Sequence, residues 1–141
     1  NTSAYLINHN DDSPWLQRHQ WRCNMFNWLI SKLYRTKVEQ ISALELSRRL
    51  DEFLIIDVRT SIEWHTSHIP NAYNHPVHAI NTNKIKALAL VENRPVVVIC
   101  LSAHRSTPVA ASLTSKGVNA YELKGGMLSW WQKKLPTEKY S

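Results

Sequence analysis

Cysteine is nearly missing from this 141-residue sequence, which holds only Cys23 and Cys100. No CxxC pair exists, so neither a zinc ribbon nor a thioredoxin-like redox pair can be built. One bridge would be sparse stapling for a secreted scaffold, so a reducing, cytoplasmic compartment is expected. Long apolar runs are missing too. The longest, Pro95 to Leu101, is far below the roughly 20 residues that cross a bilayer as a helix. Basic residues outnumber acidic ones by 17 to 11, for a net charge of +6, but they do not cluster beyond the pairs Arg48-Arg49 and Lys133-Lys134. The charge is read as solvated surface, and no nucleic-acid partner is expected. The G-x-S-x-G elbow of serine hydrolases is absent. No signal or transit pattern is visible, and the opening Asn1 suggests a fragment or a processed form.

What remains has the composition of a globular domain, 43% apolar and 20% charged. Three regions are expected: an N-terminal aromatic and basic extension over 1–37, a domain over 38–136, and a tail over 137–141. The extension holds Trp15, Trp21 and Trp28 and no glycine. Met25, Leu29 and Leu33 recur at spacing four, which predicts a helix from about Trp15 to Arg35. Arg18 and Arg22 extend the same face. The segment 15–35 is read as packed on the domain surface, with a protein partner or a membrane surface, hence membrane association, as its alternative role.

Within 38–136, strand and helix signals alternate. Val38–Gln40 reads as a short strand. Ser42 and Glu45 have the spacing of a capping box, opening a helix that carries Leu44, Leu46 and Leu50. Phe53–Val58 is a continuous apolar run, as in a strand buried on both faces. Thr60 and Glu63 form a second capping box and start a short helix. A turn at His68–Ala72 leads to a short strand near Tyr73, then a helix over Asn83–Val91. Pro95–Cys100 is the most apolar strand, followed by a helix over Thr107–Lys116 that Gly117 stops. Tyr121–Leu123 is the last strand, and Met127–Lys133 the last helix. This alternation predicts an α/β fold: a parallel sheet of about five strands with helices on both faces and right-handed crossovers. Ligands of such folds sit at the carboxyl ends of the strands, which is where Cys100 falls.

Cys100-Leu101-Ser102-Ala103-His104-Arg105-Ser106 lies between a buried strand and a helix. Backbone N–H groups of a tight loop can curl around an anion, and the following helix adds its positive end. Ser106 or Thr107 is expected to cap that helix, with Pro108 in its first turn. Such surroundings favour a thiolate, the nucleophilic form of cysteine. His104 and Arg105 add donors and positive charge. Cys23, in its aromatic segment, is read as structural.

The loop resembles the six-residue active-site loop of rhodanese-homology domains: Cys, four residues, Arg, then Ser. Other landmarks follow in the family's order. Ile56-Asp57-Val58-Arg59 resembles its Asp-x-Arg strand end, and Glu63-Trp64 the acidic-aromatic pair. His68-Ile69-Pro70-Asn71-Ala72 resembles its His-Ile-Pro-Gly-Ala turn, and Leu123-Lys124-Gly125-Gly126-Met127 with Trp130 its Gly-Gly and Trp segment. The resemblance implies a three-layer α/β/α domain and a two-step sulfur transfer without metal or organic cofactor. Cys100 would take sulfur from a donor such as thiosulfate as a persulfide and pass it to cyanide or a thiol. Leu101, Ser102, Ala103, His104, Arg105 and Ser106 would form the anion cradle, with Arg105 holding the loop or the incoming oxyanion. Asp57 would hold local backbone or Arg59. Arg59 would line the pocket mouth or serve in a structural ion pair.

Two positions depart from the family. Ala103 stands where glycine is usual, and a positive φ there would cost alanine about 1 kcal/mol. Asn71 also replaces glycine but tolerates left-handed geometry. Two other readings compete. A non-catalytic docking module of the same fold is one. The other is a Cys-x5-Arg phosphatase or arsenate reductase, whose loop is one residue longer. The pairs His65/His68 and His75/His78 lack a convincing third ligand, so no metal is expected.

Overall fold

Val96-Val97-Val98-Ile99 is the middle strand of the sheet, and all four side chains are fully buried. The computed structural model describes residues 37–140. The expected helix over 15–35, with Cys23, lies outside them. The strands are β1 (Glu39–Ile41), β2 (Leu54–Asp57), β3 (Tyr73–Asn74), β4 (Val96–Ile99) and β5 (Ala120–Leu123). They form one sheet in the order β1-β5-β4-β2-β3, with every pairing parallel. The helices are α1 (Ala43–Ser47), α2 (Ser61–Thr66), α3 (Thr82–Glu92), α4 (Ser106–Ser115) and α5 (Gly126–Gln132).

Alternate strand residues face opposite ways, which sorts the core into two clusters. Ile41, Ile55, Val97, Ile99 and Leu123 pack with Ala43 and Leu46 of α1 and Met127 and Trp130 of α5. Leu54, Ile56, Val96, Val98 and Ala120 pack with Ile85 and Ala89 of α3 and Val109, Ala110 and Leu113 of α4. The continuous apolar runs of β2 and β4 are thus the signature of a sheet covered on both sides. The expected three-layer α/β/α architecture with five parallel strands is the observed one.

Local chemistry explains most boundaries. Thr60 and Glu63 complete the capping box of α2 in both directions. Only half of the box expected at Ser42 exists. Its hydroxyl accepts from the Glu45 N–H, while the Glu45 carboxylate turns outward to pair with Arg49 at 2.9 Å. The helix after it is also shorter than expected, because Leu50 falls in a separate 3-10 turn, Leu50–Glu52. β1 starts one residue later than expected, since Ile41, paired with Leu123, is the residue it buries. Gly117 (φ 81°) follows α4 as expected. Residues near the C-terminus are tied down: Glu138 forms an antiparallel bridge with His68, and the Tyr140 N–H donates to the His65 carbonyl at 3.1 Å. Among the described residues, no helix is long and apolar enough to cross a membrane.

Candidate active site

Cys100 directly follows β4, and its side chain continues the cluster under α3 and α4, with 1% of its surface exposed. Its loop, 100–105, is held at its start by the opening turn of α5. The Met127 N–H donates to the Cys100 carbonyl at 2.9 Å and the Leu128 N–H to the Leu101 carbonyl at 3.1 Å. Gly126 makes this approach possible: a Cβ on it would lie 2.5 Å from both carbonyl oxygens. The loop's own N–H groups, from Leu101 through Ser106, meet no acceptor among the described residues. They are therefore left without an internal partner and can serve another acceptor. Ala103 has φ 71°, so the loop keeps the left-handed turn despite its cost to alanine, and Asn71 has φ 65°.

Ser106 and Thr107 do not cap α4 as expected. Arg105 occupies the N-cap position without a side-chain cap. Ser106 is fully buried, and its hydroxyl lies 3.3 Å from the Cys100 sulfur. Thr107 reaches back to the Ala103 carbonyl instead. A hydroxyl beside a buried sulfur has a better use than capping, because it can donate to a thiolate. His104 is exposed.

Arg105 is tied to Glu63. Its Nη1 and Nη2 donate to the two Glu63 oxygens, each at 3.0 Å. The same carboxylate accepts from the Thr60 N–H at 2.8 Å, so one side chain joins the start of α2 to the Cys100 loop. Arg105 holds the Glu63 carboxyl down to about 2, against partial desolvation and with help from Thr60. Since this lies below the ordinary 4.5, the pair contributes stability that is complete above that value and fades as pH falls toward 2. Glu63→Gln should flatten this acid limb. Urea unfolding midpoints measured between about pH 6 and pH 2.5 should fall less steeply than in the wild type, and parallel curves would contradict the assignment.

Asp57 and Arg59 sit at 0% and 1% exposure. Arg59 therefore does not line a pocket mouth. Its guanidinium donates to Asp57 through Nε (3.0 and 3.1 Å) and Nη2 (2.7 Å), and Nη2 also donates to the Ser67 carbonyl at 2.7 Å. Asp57 holds both this side chain and the Arg59 N–H, at 3.0 Å. The expected support role is what the geometry provides. Both members of the first histidine pair have side-chain partners: His65 Nδ1 lies 2.6 Å from the Ser61 carbonyl. His68 stacks on Trp64 with centroids 4.1 Å apart and donates from Nδ1 to the Trp64 carbonyl. Among the described residues, no three His, Cys, Asp or Glu side chains converge.

Sequence reading missed the Glu63–Arg105 pair, the loop contact of Gly126, and Glu122. A signal for the first existed: β2 and β4 are neighbours, so the segments leaving their carboxyl ends must meet, and one carries Glu63 while the other carries Arg105.

The chain is similar to known proteins in sequence and in fold. The sequence model of the rhodanese-like domain family matches residues 42–133. A protein named sulfurtransferase from Allochromatium vinosum is 33% identical over 103 residues, covering 70% of this chain and 94% of that protein. An uncharacterized protein of Synechocystis is 35% identical over 97 residues, covering 68% of this chain. The match spans only 52% of that relative's own length. A rhodanese-related protein from Thermoplasma volcanium superposes with a TM-score of 0.62 at 26% identity, covering 71% of this chain and 97% of the other.

Proposed function

Because the chain belongs to the rhodanese-like domain family, we propose that it is a sulfurtransferase whose Cys100 carries sulfur as a persulfide. The observation that carries this reading is a buried sulfur at the base of a loop whose six N–H groups meet no acceptor among the described residues. Charge arriving on that sulfur would be met by fixed dipoles rather than by reorganising water.

The Cys100 thiolate attacks the outer sulfur of thiosulfate. The new S–S bond forms as the old one breaks, and sulfite leaves with the bonding pair. The terminal persulfide sulfur, now the anion, is stabilised by the loop N–H groups and the positive end of α4. The Ser106 hydroxyl, 3.3 Å from Sγ, donates to the thiolate before and after transfer. An acceptor such as cyanide or a thiol then attacks the terminal sulfur and leaves with it, restoring the thiolate. No metal or organic cofactor enters these steps. The net charge of +6 favours encounter with an anionic donor.

The competing readings account for less. A docking module has no need of the buried cysteine that this loop retains. A phosphatase of the Cys-x5-Arg kind needs its arginine free for a tetrahedral oxyanion, whereas Arg105 is tied to Glu63 at both nitrogens. Intact-mass spectrometry after incubation with thiosulfate tests the proposal. The wild type should gain roughly 32 Da, lose it to cyanide, and show no gain as Cys100→Ser. A wild type that gains nothing from thiosulfate or other sulfur donors would sink the enzyme reading in favour of docking.

A further inference from the structure

Glu122 has no evident reason to be a carboxylate. It lies on β5 opposite Val98 of β4, is 5% exposed, and meets no cation among the described residues. A branched apolar residue would fill this place without the cost of burying a charge. Strand alternation puts it on the same face as Ala120, the face that α4 covers. There its Oε1 accepts from Gln40 Nε2 of β1 at 2.7 Å, and its Oε2 accepts from the Thr107 hydroxyl at 2.7 Å.

The same hydroxyl lies 2.6 Å from the Ala103 carbonyl, so its single proton is shared between that carbonyl and the Glu122 carboxylate. A threonine bonding to the carbonyl four residues back is common inside helices, and Thr66 and Thr114 do this here. Thr107 differs in that its target lies outside the helix, in the catalytic loop, on the residue whose φ is 71°. Alanine resists that conformation, where glycine would adopt it freely. We propose that Thr107 and Glu122 are positioning residues for the active-site loop: Gln40 orients the Glu122 carboxylate, and the single Thr107 proton, shared between that carboxylate and the Ala103 carbonyl, ties the left-handed turn to β5. The latch matters because residue 103 is alanine. Its effect on turnover rests on the sulfurtransferase reading, but its effect on the loop does not.

A double-mutant cycle separates this role from a merely structural one. Two readouts are needed: kcat/KM with thiosulfate and cyanide, and the alkylation rate of Cys100 by iodoacetamide, read on the Cys100 peptide by mass spectrometry. Thr107→Val and Glu122→Leu should each lower kcat/KM about fivefold to tenfold and raise alkylation by a similar factor, as the loop opens over the buried thiol. Thr107→Ser and Glu122→Gln keep the hydrogen bonds and should stay within about twofold of wild type. In an Ala103→Gly background, both effects of Thr107→Val should shrink to within about twofold, because glycine holds the turn unaided. Equal effects in both backgrounds, or no change in either readout, would overturn the latch. If wild type takes up no sulfur while the alkylation cycle behaves as described, the latch stands and the sulfurtransferase reading falls.

Discussion

Asp57→Ala is expected to destabilise the domain by about 3–5 kcal/mol, the usual consequence of leaving one member of a buried ion pair alone. The carboxylate it removes is fully buried and takes four hydrogen bonds from Arg59, one from the backbone N–H and three from the guanidinium. The Ser67 and Glu63 carbonyls and the Trp131 ring, 5.7 Å away, cannot replace a full negative charge. With ordinary stabilities of about 5–15 kcal/mol, such a loss brings a domain near its threshold. For a domain of this size it should lower the thermal midpoint by more than about 12 °C. Asp57→Leu combined with Arg59→Met should recover part of the loss, since the unpaired charge is gone. Urea unfolding of the three proteins measures this directly. A shift below about 1 kcal/mol for Asp57→Ala would mean that the guanidinium reaches solvent when released.

Gly126→Ala should strike the catalytic loop with less effect elsewhere. The added methyl would meet two backbone oxygens at 2.5 Å, and the residue's φ of 59° is itself unfavourable for alanine. Backbone cannot rotate aside as a side chain can, so the start of α5 and the loop must separate. The hydrogen bonds from Met127 to Cys100 and from Leu128 to Leu101 then break or lengthen. A displacement of about 1 Å at a reacting centre can cost about a hundredfold in rate, and that is the expected fall in persulfide formation. Stability should fall by about 2–4 kcal/mol through overpacking and strain. Stopped-flow sulfur uptake with parallel thermal unfolding checks both. Gly117→Ala is the control, because its φ is also positive but a Cβ there meets nothing within 4 Å. It should lose some stability and keep its rate.

The difference between those two glycines shows what was legible beforehand and what was not. Gly117 ends a helix, a local event written in neighbouring residues, and sequence placed it correctly. The strands β2 and β4 and the capping box of α2 were legible for the same reason: each follows from residues within a few positions. Gly126 stood out only as part of a Gly-Gly segment, but its tighter constraint comes from carbonyls some 25 residues earlier in the chain, which only the folded sheet brings near. Glu63 was recognised as a capping residue, yet its bond to Arg105 crosses 42 positions. Ser106 was assigned to the helix because its type favours caps, whereas burial beside a sulfur decided its partner. Residue types thus marked the candidate loop, and tertiary pairing decided which side chain holds which.

The strand order also sets a schedule for folding during synthesis. β2 and β4 can pair as soon as both have left the ribosome, but β1, made first, waits for β5, made last of the strands. Gln40 and its partner Glu122 are 82 positions apart. At synthesis rates of about 5–20 residues per second, β1 stays unpaired for roughly 4 to 16 seconds. An unpaired strand is a template for the wrong neighbour. Two of its three residues are Glu39 and Gln40, both exposed in the finished sheet, so the segment offers a stray partner little apolar surface during that wait. Ile41 alone commits it to the core, and it does so when Leu123 arrives.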